Sequence, residues 1–249
     1  MKIMGILNCT PDSFFSGSRK QSEEEIRERV LEIVSQGGDM IDVGACSTRP
    51  GGSLATEQEE MERLRFALPI IRDAAPEMPL SLDTFRPKVA RLCVREYGDM
   101  MINDVSEGED DDMFPTVADL GVPYVLMSTK ATLRDMMLGF AEKVQKLRDL
   151  GQKDIILDPG FGFGKSLEQN FAILKDLAFL RELELPIIVG VSLKSMIYKT
   201  LGVTPEDSLN GTTVVNTMAV MIGAVDILRV HEVKSACEVV KLTEKCLKS

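Results

Sequence analysis

Eight times along this chain a short apolar run ends in a hydrogen-bonding residue and gives way to a stretch with helical periodicity. The runs are 3–7, 39–43, 79–82, 100–102, 122–127, 155–157, 186–191 and 226–228. Near-continuous apolar runs suit strands covered on both faces, and strands joined through a single helix pair in parallel. The units recur every roughly 20 to 40 residues, a spacing that fits one strand and one helix each. With 249 residues to hold them, the expected fold class is α/β: a (β/α)8 TIM barrel, one domain over residues 1–249. A doubly wound open sheet is the rival. The count of eight and the lack of any linker-like break in composition favour the barrel.

The helical stretches carry start and stop signals. Residues 22–36 are expected to be helical, with Ser22 as N-cap and Glu23, Glu24 and Glu25 in the first turn. Ile26, Val30, Ile33 and Val34 would share one face, and Gly37 and Gly38 would end the helix. Further helices are expected over 57–75, 87–97, 113–120, 133–150, 167–183, 208–223 and 235–247.

The sixth run leads into Asp158-Pro159-Gly160-Phe161-Gly162-Phe163-Gly164-Lys165. Two phosphate-binding motifs are excluded by spacing. A P-loop needs Gly five residues before the Gly of its Gly-Lys-Ser, where this chain has Pro159. A dinucleotide fingerprint needs its third Gly where Lys165 stands. The glycines therefore point to close approach by a flat ligand or another backbone segment, with a tight turn as the plainer alternative.

Composition narrows the function. With 44% hydrophobic residues the chain can bury one sizeable core. A net charge of −10 and a pI of about 4.8 argue against a nucleic-acid partner. No apolar stretch reaches spanning length and the N-terminus has no long apolar signal segment, so no membrane partner is expected. Five cysteines with no CxxC pair read as reduced thiols of a cytoplasmic protein, Cys9 and Cys46 among them as small packing residues. A single histidine, His231, rules out a His-rich metal site, and the 14 methionines read as core filler.

The residues that close the strands are Asn8; Ser47, Thr48 and Arg49; Asp83; Asn103; Ser128; Asp158; Lys194 and Ser195; and Arg229 and His231. In a barrel these ends converge at one mouth. Polar strand ends taken singly need no function; eight together point to a site. Asp83, Asn103, Asp158 and Lys194 offer donors and acceptors suited to a flat heterocycle with amino and amide groups. Asn8, Arg49, Arg229 and His231 are neutral or cationic and could hold an anion, with or without a metal. His231 taken alone would more often be structural.

Several stretches together resemble one family. They are Ile6-Leu7-Asn8-Cys9-Thr10-Pro11-Asp12-Ser13-Phe14, Ser47-Thr48-Arg49-Pro50-Gly51, Leu82-Asp83-Thr84, Ile102-Asn103-Asp104-Val105, the run from Leu157 to Lys165, and Arg229-Val230-His231-Glu232-Val233. In this order, over essentially the whole chain, they resemble dihydropteroate synthase. The resemblance implies condensation of 4-aminobenzoate with 6-hydroxymethyl-7,8-dihydropterin diphosphate, giving 7,8-dihydropteroate and pyrophosphate, with Mg2+ as cofactor and a homodimer as the assembly. It implies a pterin held by Asp83, Asn103, Asp158 and Lys194, with Met127 and Phe163 lining the slot. The diphosphate would meet Asn8, Arg229 and His231, with Asn8 near the metal. Loops carrying Asp12 and Phe14, and Thr48, Arg49 and Pro50, would close over the substrates. Thr48 and Ser195 would contact the aminobenzoate carboxylate.

The chain departs from the family pattern in four places. Met127-Ser128 stands for Met-His, Ser192-Leu193-Lys194 for Ser-Arg-Lys, Ser16-Gly17-Ser18 for Asp-Gly-Gly, and Cys46 for Glu. Two other functions stay open at this point: a pterin-dependent methyltransferase-type barrel, and a catalytically impaired pterin-binding paralogue.

Overall fold

The computed structural model describes residues 1–10, 19–46 and 54–248. Its strands are β1 (Lys2–Asn8), β2 (Met40–Gly44), β3 (Leu80–Asp83), β4 (Met101–Asp104), β5 (Tyr124–Met127), β6 (Ile155–Asp158), β7 (Ile188–Val189) and β8 (Ile227–Val230). All pairings are parallel, in the order β6-β5-β4-β3-β2-β1-β8-β7. A parallel bridge between Leu157 and Ile187 joins the two ends of that order, with the Leu157 N–H donating to the Pro186 carbonyl at 2.8 Å. The sheet is thereby closed into the expected (β/α)8 barrel.

The helices are α1 (Arg19–Ser35), α2 (Glu57–Ala74), α3 (Pro87–Tyr97), α4 (Met113–Leu120), α5 (Leu133–Asp149), α6 (Leu167–Lys175), α7 (Ser195–Leu201), α8 (Leu209–Met221) and α9 (Val233–Leu247). Helices α2 and α6 open with reciprocal capping boxes, Thr56 with Glu59 and Ser166 with Gln169, each satisfying donors that the first turn leaves orphaned.

Alternation along each strand divides the apolar residues between two cores. Ile3, Ile41, Leu82, Ile102 and Leu157 join the large core under the helices. Met4, Val125, Ile156, Ile188 and Ile227 form a separate cluster inside the barrel, with Met40 and Met101 packed on it. Two residues further along the same inward set come the polar groups: Asp42 after Met40, Asn103 after Met101, Asp158 after Ile156, Arg229 after Ile227. The barrel is thus dry at its floor and polar at its carboxyl mouth. Register fixes the top row: Asn8 pairs with Gly44, Gly44 with Asp83, and Asp83 with Asn103.

Local expectations needed five corrections. Helix α1 starts at Arg19, so Ser22 is a buried residue inside it rather than its N-cap. Val34 is 41% exposed, because it stands one position round from the buried Ile33. The helix expected over 167–183 breaks at Asp176 into α6 and a 3-10 segment, Leu177–Leu183, whose leucines Leu177, Leu180 and Leu183 recur at the 3-10 period. β7 shrinks to Ile188–Val189, and a short helix, α7, follows Lys194 where none was expected.

Candidate active site

The strand-end groups are braced from below by an acid inside β2. Asp42 is 0% exposed. Its Oδ1 accepts from Ser81 Oγ at 2.6 Å. Its Oδ2 accepts from Asn103 Nδ2 at 3.2 Å and from Arg229 Nε at 2.6 Å. Arg229 Nη2 then donates to Asp83 Oδ2 at 2.7 Å. Four strands, β2, β3, β4 and β8, are therefore tied through one buried network. Burial opposes the charge on Arg229, but Asp42 and Asp83 outweigh it and hold its pKa above that of an ordinary arginine. Burial also pushes the Asp83 carboxyl up, against the pull of Arg229, with Asp42, Glu60 and Asp104 adding to the rise. Asn103 is 1% exposed and its Oδ1 has no hydrogen-bond partner among the described residues. A buried acceptor without a donor costs stability unless a ligand supplies one.

Beside this network lies the glycine-rich loop after β6. Asp158 is 8% exposed, and its Oδ1 accepts from the Gly160 N–H at 2.7 Å. Burial raises its pKa, while Lys194 and that N–H draw it down. Gly160 has φ +63°, and a Cβ there would collide with the Ser128 carbonyl and the buried Met127 side chain. Gly162 donates to Asn170 Oδ1 at 2.7 Å. Lys165 Nζ donates to the carbonyls of Ser128 (2.8 Å), Gly160 (2.9 Å) and Phe163 (3.2 Å). Its three donors are spent on backbone, so the glycines serve close backbone approach and Lys165 locks them. Lys194 Nζ donates to the Phe161 carbonyl and stands 4.8 Å from the centroid of the half-buried Phe163 ring. Burial lowers the Lys194 ammonium to about 8, against the opposing pull of Asp158.

The third part of the mouth is where β1 and β8 end. A Cβ placed on Gly44 would stand 3.5 Å from Asn8 Oδ1 and 3.7 Å from Asp83 Oδ2, so these two side chains converge there. His231 Nδ1 lies 3.0 Å from Ser192 Oγ, which also accepts the His231 N–H at 3.2 Å. Arg29 of α1 reaches the Ile6 carbonyl at 3.3 Å and the His231 carbonyl, bracing both strand ends. Ser195 is the half-buried first residue of α7. Asp12, Phe14, Thr48, Arg49 and Pro50 lie outside the described residues. A groove of about 860 Å3 on the outer rim, bordered by Glu107, Asp110, Phe114, Lys143 and Leu150, holds none of the converging groups.

Sequence reasoning missed Asp42, Ser81, Arg29 and the locking role of Lys165. One signal was available for Asp42. A carboxylate inside a run otherwise destined for burial must have partners, and they had to be other inward groups.

A closed barrel whose mouth sets buried acids, an open amide acceptor and two lysines beside an arginine is a small-molecule enzyme scaffold built to grip a polar flat ring. The family model described as pterin binding enzyme matches residues 4–231. The dihydropteroate synthase of Clostridium beijerinckii is 38% identical, with 97% of this chain and 93% of that protein covered. A crystal structure of the Clostridium difficile dihydropteroate synthase in the presence of pteroic acid has a TM-score of 0.90 at 31% identity, covering 100% of this chain and 97% of that one. The Xanthomonas albilineans enzyme with 4-aminobenzoic acid has a TM-score of 0.88 at 31% identity, covering 100% and 93%. The chain belongs to the pterin binding enzymes, and among them to the dihydropteroate synthase family.

Proposed function

We propose that this chain condenses 4-aminobenzoate with 6-hydroxymethyl-7,8-dihydropterin diphosphate, releasing pyrophosphate and forming 7,8-dihydropteroate. The observation that carries this reading is the pairing at one mouth of an open, buried Asn103 acceptor and the Asp83 and Asp158 carboxylates with Arg229 and Lys194. The first three suit the amide and amino edge of a pterin. The same groups give the methyltransferase-type alternative no independent support.

The chemistry follows from charge. Pyrophosphate departs from a methylene on an electron-rich ring, so positive charge spreads into the pterin. Asp158, buried beside that ring, favours the developing cation. Arg229 keeps Nη1 out of its bonds to Asp42 and Asp83, and with His231 it would meet the departing anion. The arylamine is neutral near pH 7, so the site needs no strong general base. Mg2+ keeps most of its waters and binds through phosphate oxygens plus one or two protein oxygens. Asn8 offers such an oxygen, and among the described residues no group of three or more His, Cys, Asp or Glu forms a cage. That donor set fits an ion carried in on the diphosphate, where it would neutralise charge on the leaving group.

Two further expectations belong here. Exposed Val214, Met218 and Met221 on α8 and Leu242 on α9 suit a homodimer contact between neighbouring helices. Five cysteines with no CxxC spacing suit a reducing compartment such as the cytoplasm.

A coupled pyrophosphate-release assay tests the function. Release that requires both substrates, and falls on the order of a hundredfold in Asp158→Asn, is expected. No release from the folded protein would leave the catalytically impaired paralogue as the answer.

A further inference from the structure

We propose that Asp42 is a positioning residue that sets the hydrogen-bond polarity of the pterin slot by fixing which way the Asn103 amide points. The inference rests on the pterin-binding reading of the mouth and deepens it. An asparagine amide is nearly symmetric in shape, so on its own it presents either a donor pair or an acceptor to a ligand. Here the choice is removed. Asp42 Oδ2 sits 3.2 Å from Asn103 Nδ2, and a carboxylate oxygen bonded to arginine can only accept. Turning the amide over would set its oxygen against that carboxylate at the same distance, inside a site where both residues are excluded from water.

The carboxylate cannot turn away to allow this. Ser81 Oγ holds its other oxygen at 2.6 Å, and Arg229 Nε holds the shared one at 2.6 Å. The orphaned atom is accordingly Asn103 Oδ1, which has no partner among the described residues. The slot therefore offers an acceptor at this position and selects a ring edge that brings an N–H. A ring bringing a lone pair there would meet another lone pair. The chemical class selected is a heterocycle with an amide-type or exocyclic amino N–H, as a pterin has.

The test is a double-mutant cycle read by calorimetric titration with 6-hydroxymethylpterin, which lacks the diphosphate and so isolates the ring. Wild type, Asp42→Asn, Asn103→Ala and the double variant are compared, with thermal melts to establish folding. Asp42→Asn is expected to weaken pterin binding about tenfold, because the freed amide presents donors where the ring also has one. In the Asn103→Ala background the same change is expected to cost several-fold less. KM for 4-aminobenzoate is expected to stay unchanged. Should Asp42→Asn not fold, Ser81→Ala keeps the carboxylate but loosens it, and a smaller loss that also shrinks in the Asn103→Ala background is expected. Equal losses in both backgrounds would overturn the role of Asp42 and leave pterin recognition standing. Failure of the wild type to bind 6-hydroxymethylpterin at all would instead count against the proposed function.

Discussion

Burial holds the Lys194 ammonium at about 8, well under an ordinary lysine, while Asp158 pulls the other way. Below that value the ammonium is charged and can donate to a ring; as pH rises through it, the charge and one donor are lost. The pH profile of kcat/KM for the pterin substrate should therefore fall above about 8, since it reports groups of the free enzyme. In Lys194→Arg the guanidinium keeps its proton, and the alkaline limb should move upward by more than about one pH unit. Lys165 is also lowered to about 8 by burial, so a limb that stays in place in Lys194→Arg would assign the titration to Lys165 instead. The residues at the strand ends, Asp83, Asn103, Asp158 and Arg229, were legible because each closes an apolar run. Asp42 was not, because its place two residues inside β2 made it look like part of the strand's interior. Which side chains meet across a barrel depends on strand register, and register does not show in one strand's residues.

The glycine-rich loop between β6 and α6 is held by one of its own side chains and by two from outside it. Lys165 bridges three carbonyls, Asn170 takes the Gly162 N–H, and Lys194 reaches Phe161. Removing the first tie in Lys165→Met leaves three buried or half-buried carbonyls without that donor. A loss of about 1–3 kcal/mol in denaturant unfolding is expected, with a several-fold rise in KM for the pterin and little change for 4-aminobenzoate. Unchanged stability and unchanged KM would mean the Lys165 tie does not hold the loop. Further along, the 3-10 segment Leu177–Leu183 ends at Glu184, an exposed residue at φ 52°. Glu184→Gly should relieve that conformation and stabilise the protein by about 0.5–1 kcal/mol, seen as a higher melting temperature. Helices α3 and α4 run over the residues expected of them, α3 opening on Pro87 and the two closing on Gly98 and Gly121. The break after α6 was illegible for the opposite reason: leucines three apart fit both an α-helical face and a 3-10 face, and packing made the choice.

Among the described residues the barrel closes through one bridge, Leu157 to Ile187, between the first and last strands of the order. Closure is what turns eight separate strand ends into one mouth, and the count of eight runs in the sequence was enough to expect it. Outside the barrel, Val214, Met218 and Met221 leave an apolar strip on α8. Sedimentation should give a particle of twice the 27.5 kDa chain mass, and Met218→Lys should shift it toward the monomer; a monomeric wild type would remove the dimer. The most direct test of the site itself is a crystal structure with 6-hydroxymethylpterin bound. The ring should lie at the carboxyl mouth, with its N–H edge on Asn103 Oδ1, within hydrogen-bond reach of Asp158, Asp83 and Lys194. A pterin seated instead in the outer groove by Glu107 and Lys143, with the mouth left empty, would contradict the reading given to every one of these residues.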